Sequence, residues 1–152
     1  MSKIGFIGVG NMGGALARAA ALSSNTVYLS DKDTSKAQAL ADRIGALASS
    51  TQSIVAECDM IFLGVKPQML AGVAEELKPT LAARKSPFCL VSFLAGVSLS
   101  RLAEVFGDLP IIRMMPNTPA SVGEGTIVWS ANASVTDADK ALYVETLAHA
   151  GM

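Results

Sequence analysis

Apolar and polar positions come in blocks along this chain, short apolar runs separated by longer stretches in which apolar residues recur every three or four positions. Residues 3–8 read as a buried strand, and the alanine-rich residues 12–22 as a helix lying close against it. Residues 27–30 predict a second strand. Residues 34–44 predict a helix that Asp33 or Thr34 caps at its start and Gly45 closes. Residues 45–48 lead into a short third strand, residues 51–57 make a brief helix, and residues 60–65 are an uninterrupted apolar run of the kind a central parallel strand needs. Pro67 then starts a helix over residues 68–77 that yields at Pro79. Residues 88–94 predict the next strand, and Ser98 or Ser100 caps a helix reaching Phe106. A strand over 110–115, a proline- and glycine-punctuated loop over 116–125 and a strand over 126–130 follow. The last helix starts at Thr136, carries Asp137 and Asp139 in its first turn, where carboxylates suit the helix dipole, and runs to His149 before Gly151 ends it.

Strands alternating with helices predict an α/β fold: a doubly wound, Rossmann-type, mostly parallel sheet with right-handed crossovers and helices on both faces. At 152 residues the chain is expected to be one domain, residues 1–152. The composition, 51% hydrophobic and only 16% charged, suits a sheet covered on both sides. A net charge of -1 with scattered cations offers no basic stripe, which argues against nucleic acid as a partner. Asn11, Arg18 and the glycines interrupt the apolar start, so no membrane span is expected, and the lack of a basic leader and cleavage site points to the cytoplasm. Cys58 and Cys89 have no CxxC spacing and no nearby histidine, so they read as buried free thiols, with no metal site and no redox pair.

The candidate chemistry begins at Gly8-Val9-Gly10-Asn11-Met12-Gly13, between the first strand and the first helix. Gly8 permits the tight turn, Gly10 lets a diphosphate approach the backbone, Gly13 lets the helix lie close on the strand, and the helix N-terminus faces the negative charge. A nicotinamide dinucleotide, NAD or NADP, is the cofactor this arrangement predicts. Asp31, about 20 residues past the turn, is placed to accept hydrogen bonds from the adenosine ribose, which favours NAD, while Lys32 beside it can neutralise the 2′-phosphate of NADP. Ligands of open α/β sheets bind outside the carboxyl ends of the strands, so Val65-Lys66-Pro67-Gln68 and Ala95-Gly96-Val97 are expected to line the cleft, with Lys66 as the cation of that rim. His149, Trp129 and Tyr143 read as capping or packing residues, and the Met114-Met115 pair stays open between core and cofactor.

Gly64-Val65-Lys66-Pro67-Gln68, Ala95-Gly96-Val97 and Arg113-Met114-Met115-Pro116-Asn117-Thr118-Pro119-Ala120, with Gly123 and Gly125, occur in the order of the successive signatures of pyrroline-5-carboxylate reductase, which this chain resembles along its whole length. The resemblance implies reduction of 1-pyrroline-5-carboxylate to proline with hydride from NADPH or NADH. It also implies that Gly8 to Gly13 hold the diphosphate, that Val65, Lys66, Pro67, Gln68, Ala95 and Gly96 flank the ribose and nicotinamide, and that Met115, Pro116 and Asn117 sit near the nicotinamide ring. No catalytic side chain is assigned, because the cofactor carries the hydride chemistry and the protein orients it. The family continues into a helical domain that dimerises and completes the substrate pocket, so the full-length family implies a homo-oligomer, and this chain alone is expected to bind the dinucleotide with little or no turnover. The opening Ile4-Gly5-Phe6-Ile7-Gly8-Val9-Gly10-Asn11-Met12-Gly13 also resembles the start of a β-hydroxyacid dehydrogenase, and a non-enzymatic dinucleotide-binding module is the third reading.

Overall fold

The structure, a computed structural model, describes residues 2–116 and 127–150. β1 (Lys3–Ile7) runs into α1 (Asn11–Ala21), β2 (Thr26–Ser30) into α2 (Thr34–Ile44) and β3 (Leu47–Ala48) into α3 (Thr51–Glu57). β4 (Met60–Leu63) leads through a 3-10 turn at Pro67–Met69 into α4 (Leu70–Ala83), and β5 (Cys89–Ser92) leads into α5 (Leu99–Phe106). β6 (Ile111–Pro116) and β7 (Ile127–Ala131) precede α6 (Asp137–Thr146) and a 3-10 turn at Ala148–Ala150. Among the described residues these strands form one sheet in the order β3-β2-β1-β4-β5-β6-β7. All neighbours are parallel except β6 and β7.

The alternation of side chains along each strand feeds two apolar layers. On one face Ile4, Phe6, Met60 and Phe62 pack under α1, α2 and α6, with the Phe6 and Phe62 rings stacked at 4.5 Å. On the other, Ile7, Ile61, Leu63 and Leu90 pack under α3, α4 and α5. Tyr143 of α6 is fully buried against Phe62 and Trp129, so it is core rather than surface. Among the described residues no helix is long and apolar enough to cross a membrane.

The helix ends show local chemistry at work. Asp33, not Thr34, caps α2 by accepting from the Lys36 amide at 3.2 Å, and Ser98, not Ser100, caps α5 by accepting from the Arg101 amide at 3.1 Å. Thr136 and Asp139 form a reciprocal capping box at the start of α6.

Two expectations, the ends of α4 and of the last helix, need correction, while one antiparallel strand fits the mostly parallel sheet expected. α4 does not yield at Pro79 but passes through it to Ala83. The proline lies on the exposed side, where it forfeits one hydrogen bond, while Leu77 and Leu81 keep the helix anchored in the apolar layer. The last strand pairs antiparallel, since no helical crossover separates it from β6. The final α-helix stops at Thr146 and gives way to a tighter turn carrying an exposed His149. Side chains three apart eclipse in a 3-10 turn, which brings Leu147 and Ala150 together into the core.

Cys58 and Cys89 are both buried and free, and burial pushes each thiol up to about 12 from the ordinary 9.0. Burial also raises the Tyr143 phenol. The folded-state values lie above the unfolded ones, so the unfolded chain releases its protons first as pH rises. The stabilisation is fully present below about pH 9 and is lost progressively toward pH 12. Thermal melts are expected to show a loss of about 1 kcal/mol per thiol at around pH 10, and replacing both cysteines by alanine should flatten that alkaline limb.

Candidate cofactor site

The strand order reverses direction at β1 and β4, since the chain winds outward to β3 on one side and to β5 and β6 on the other. A crevice opens at such a switch point, outside the carboxyl ends of the strands. The glycine turn sits there. Gly8 has φ 97°, the left-handed region, and its amide donates to the Ser30 carbonyl at 2.8 Å, so the end of β1 is tied to the end of β2. A Cβ on Gly8 would lie 2.8 Å from the Gly64 carbonyl oxygen, which shows how tightly β1 and β4 converge.

Gly13, in the first turn of α1, is closed from above: a Cβ there would lie 2.2 Å from the Gly8 carbonyl oxygen. Gly10 is the opposite case, with nothing within 4 Å of its Cβ position. Gly10 is also the N-cap of α1 and offers no side-chain cap. The amides of Asn11, Met12 and Gly13 therefore lack a helical partner, while the Gly14 amide reaches Gly10 at 2.7 Å. Open space beside uncapped amides at a helix N-terminus fits an anionic diphosphate.

Asp31 follows β2 as its spacing predicts, but its carboxylate is already engaged. Oδ2 accepts from the Val9 amide at 2.8 Å and Oδ1 from the Asp33 amide at 3.0 Å. The first of these holds the glycine turn onto the strand, a role the spacing argument did not contain. Each oxygen retains a second acceptor direction, so binding a ribose hydroxyl remains open to it. Lys32 is exposed next to it.

After β4, Val65 packs partly against the core while Lys66, Pro67 and Gln68 are exposed, with Lys66 leading the 3-10 turn. After β5, Ala95 and Gly96 are exposed. Asn117 and the rest of the loop that follows Pro116 lie outside the described residues. Met114 is buried and Met115 exposed, which separates the pair into a core residue and a surface one.

Two features were not foreseen. Phe93, just past β5, sets its ring between the end of β4 and the first turn of α1: a Cβ on Gly64 would fall 2.1 Å from its Cζ, and one on Gly13 3.4 Å away. Gly64 is the sequence signal that was available, because a glycine ending a buried strand implies a bulky neighbour filling the missing side chain's place. The second feature is a groove of about 400 Å³ running from Gly10 and Asn11 down between α1 and α2, with Arg18, Lys36 and Arg43 along it. Lys66 is thus not the sole cation near the turn.

A family model described as NADP oxidoreductase, coenzyme F420-dependent, matches residues 3–96. The chain belongs to this family. The cofactor expectation drawn from the glycine turn, NAD or NADP, agrees with that description. It is also 39% identical over 145 residues to the pyrroline-5-carboxylate reductase of Escherichia coli, an alignment covering 91% of this chain and 53% of that protein. The solved pyrroline-5-carboxylate reductase of Coxiella burnetii superposes with a TM-score of 0.89 at 27% identity, over 99% of this chain and 57% of the other. That of Plasmodium falciparum, solved with NADP bound, superposes at 0.79 and 29% identity, over 99% and 56%. The chain spans about half the length of the curated relatives it matches. The resemblance read from Gly64 to Gln68, Ala95 to Val97 and Arg113 to Ala120 is the one these relatives carry, and they do not favour the β-hydroxyacid dehydrogenase reading.

Proposed function

We propose that this chain binds NAD(P)H in the crevice at the carboxyl ends of β1 and β4 and presents it for reduction of the cyclic imine 1-pyrroline-5-carboxylate to proline. The observation that carries the reading is the open approach to Gly10 beside the uncapped amides of α1, at the switch point of the sheet. A dinucleotide held there by these residues would supply hydride to the imine carbon, and one proton at the imine nitrogen would complete proline.

The chain's own residues would bind and orient. Gly8 to Gly13 supply the turn and the amides for the diphosphate. Asp31 fixes that turn through the Val9 amide and adjoins the ribose, with Lys32 next to it. Val65, Lys66, Pro67 and Gln68 on one side and Ala95 and Gly96 on the other bound the nicotinamide half, with Asn117 assigned to the ring by the family resemblance. Phe93 backs this arrangement by holding the helix start and the end of β4 at a set distance. A cytoplasmic location and a homo-oligomeric assembly belong to the same proposal. For the latter, Met115 and Val128, 48% and 59% exposed, face each other across the β6–β7 pair and offer apolar surface to cover.

Titrating the purified chain with NADPH and with NADH, followed by nicotinamide fluorescence, is expected to give saturable binding. No binding of either at millimolar concentration overturns the proposal. A steady-state assay with 1-pyrroline-5-carboxylate then identifies the substrate class, with low turnover expected from this chain alone. Oxidation of a 3-hydroxyacid without consumption of the imine would instead select the dehydrogenase. Light scattering on the same sample reads the assembly.

A further inference from the structure

On the side of the sheet that α3, α4 and α5 cover, the apolar layer gives way to polar and exposed residues toward the carboxyl end of β6. Leu90 of β5 and Ile111 of β6 stand in register and belong to that layer, together with Leu102 of α5. Side chains alternate along a strand, so the next pair on the same face is Ser92 with Arg113. Arg113 is also in register with Ser130 of β7, and Met115 with Val128. Ser130, Met115 and Val128 are exposed and Arg113 is half-buried, so its guanidinium is within reach from solvent.

Two neighbouring donors on this face have no acceptor. The Arg113 Nε is buried and makes no hydrogen bond. Among the described residues no carboxylate lies within ion-pair distance of its guanidinium, the ion pairs being Lys78 with Glu75 and Arg101 with Glu104. Ser92 is fully buried, and its Oγ accepts from the Leu94 amide at 3.3 Å, which leaves the hydroxyl proton unspent among the described residues. Folded proteins seldom leave a buried donor without a partner, because its lost hydration is then uncompensated. Here one of the two donors belongs to a cation, and both stand at the strand ends outside which open α/β sheets bind their ligands.

We propose that Arg113 and Ser92 form a binding site for a small carboxylate with an apolar body. Nε and a terminal nitrogen of a guanidinium present two parallel donors that match the two oxygens of a carboxylate, and the serine hydroxyl adds a third. One cation balances one carboxylate, whereas a phosphate dianion would keep a charge unmatched. Met115 and Val128, one step further along β6 and β7 on the same face, suit CH2 groups rather than a second charge. An assembly that covers these two residues would close over the bound carboxylate. Two sources carry this chemistry. One is the imino acid of the reaction proposed above, in which case the inference rests on that reading. The other is a separate carboxylate that takes no part in the reaction.

The test melts the whole chain at constant ionic strength with rising cyclopentanecarboxylate, L-proline or the neutral cyclopentanecarboxamide, since a ligand of the folded state raises the melting temperature. Both carboxylates are expected to raise it saturably and the amide to leave it unchanged. Arg113→Met keeps most of the stem and gives up an unpaired buried N–H, so it should fold as stably as the wild type. Its affinity for both carboxylates should fall about ten-fold or more. Arg113→Lys should recover part of the loss, through a charge without the fork, and Ser92→Ala should lose less than Arg113→Met. Proline binding that tightens when the oxidised dinucleotide is bound assigns the carboxylate to the reaction, and binding indifferent to the dinucleotide assigns it to a separate compound. Saturation by neither carboxylate, equal shifts with the amide, or an Arg113→Met variant that binds as the wild type does would each overturn the proposal. Carboxylate binding that depends on Arg113 in a chain that binds no dinucleotide leaves this site standing while the cofactor reading falls. Dinucleotide binding without carboxylate binding removes this site alone.

Discussion

Gly13→Ala is expected to lower stability by about 2 kcal/mol and to remove dinucleotide binding. The new Cβ would lie 2.2 Å from the Gly8 carbonyl oxygen and 3.1 Å from the Gly8 carbonyl carbon, a contact with backbone rather than with a movable side-chain tip. Gly8 cannot withdraw. Its amide is tied to Ser30 at 2.8 Å, and Gly64 presses on its other side. Helix α1 cannot lift freely either, because Leu16, Ala17 and Ala20 are buried beneath it. Overpacking of this kind costs about 1–3 kcal/mol or more, and alanine's better helix propensity returns about 1 kcal/mol of it. For a chain of this size the result is a fall of roughly 5 °C in melting temperature. Because the strain falls on the turn itself, the amides of Asn11 and Met12 move away from the position a diphosphate needs. Thermal melting and NADPH titration check both halves, and a variant that melts and binds as the wild type does would show that the turn can rearrange.

Gly10→Ala is expected to separate the two effects. Its φ of -66° is one that alanine adopts without strain, and its Cβ position is free of contacts to 4 Å, so stability should stay within about 0.5 kcal/mol of the wild type. The same methyl group occupies the approach to the uncapped start of α1. Affinity for NADPH and NADH should therefore fall about 100-fold, the scale of roughly 3 kcal/mol lost from charge-assisted hydrogen bonds that can no longer form. Measured side by side, one variant damages fold and site together and the other damages the site alone. Undiminished binding by the Gly10 variant would mean that the diphosphate does not lie against this turn.

The legible parts of this molecule were those governed by short-range rules. The glycine turn could be placed because a strand, a turn and a helix follow one another within about twenty residues. The capping by Asp33, Ser98 and Thr136 could be narrowed to one or two candidates because a cap acts on amides two or three positions away. Pro79 misled for a related reason. As a local rule it ends a helix, yet here the burial of Leu77 and Leu81 outweighs a single lost hydrogen bond on the exposed side.

What the sequence determined by itself was the order of strands and helices, the doubly wound class and the position of the glycine turn, because periodicity and turn chemistry act between near neighbours. Tertiary structure alone decided the rest. Asp31 proved to be the anchor of the Val9 amide, Phe93 the spacer between Gly13 and Gly64, and Arg18, Lys36 and Arg43 the walls of one groove. Each of these joins residues from different elements. Their meeting depends on how strands register and how helices lie on the sheet, through burial and close packing that no local pattern encodes.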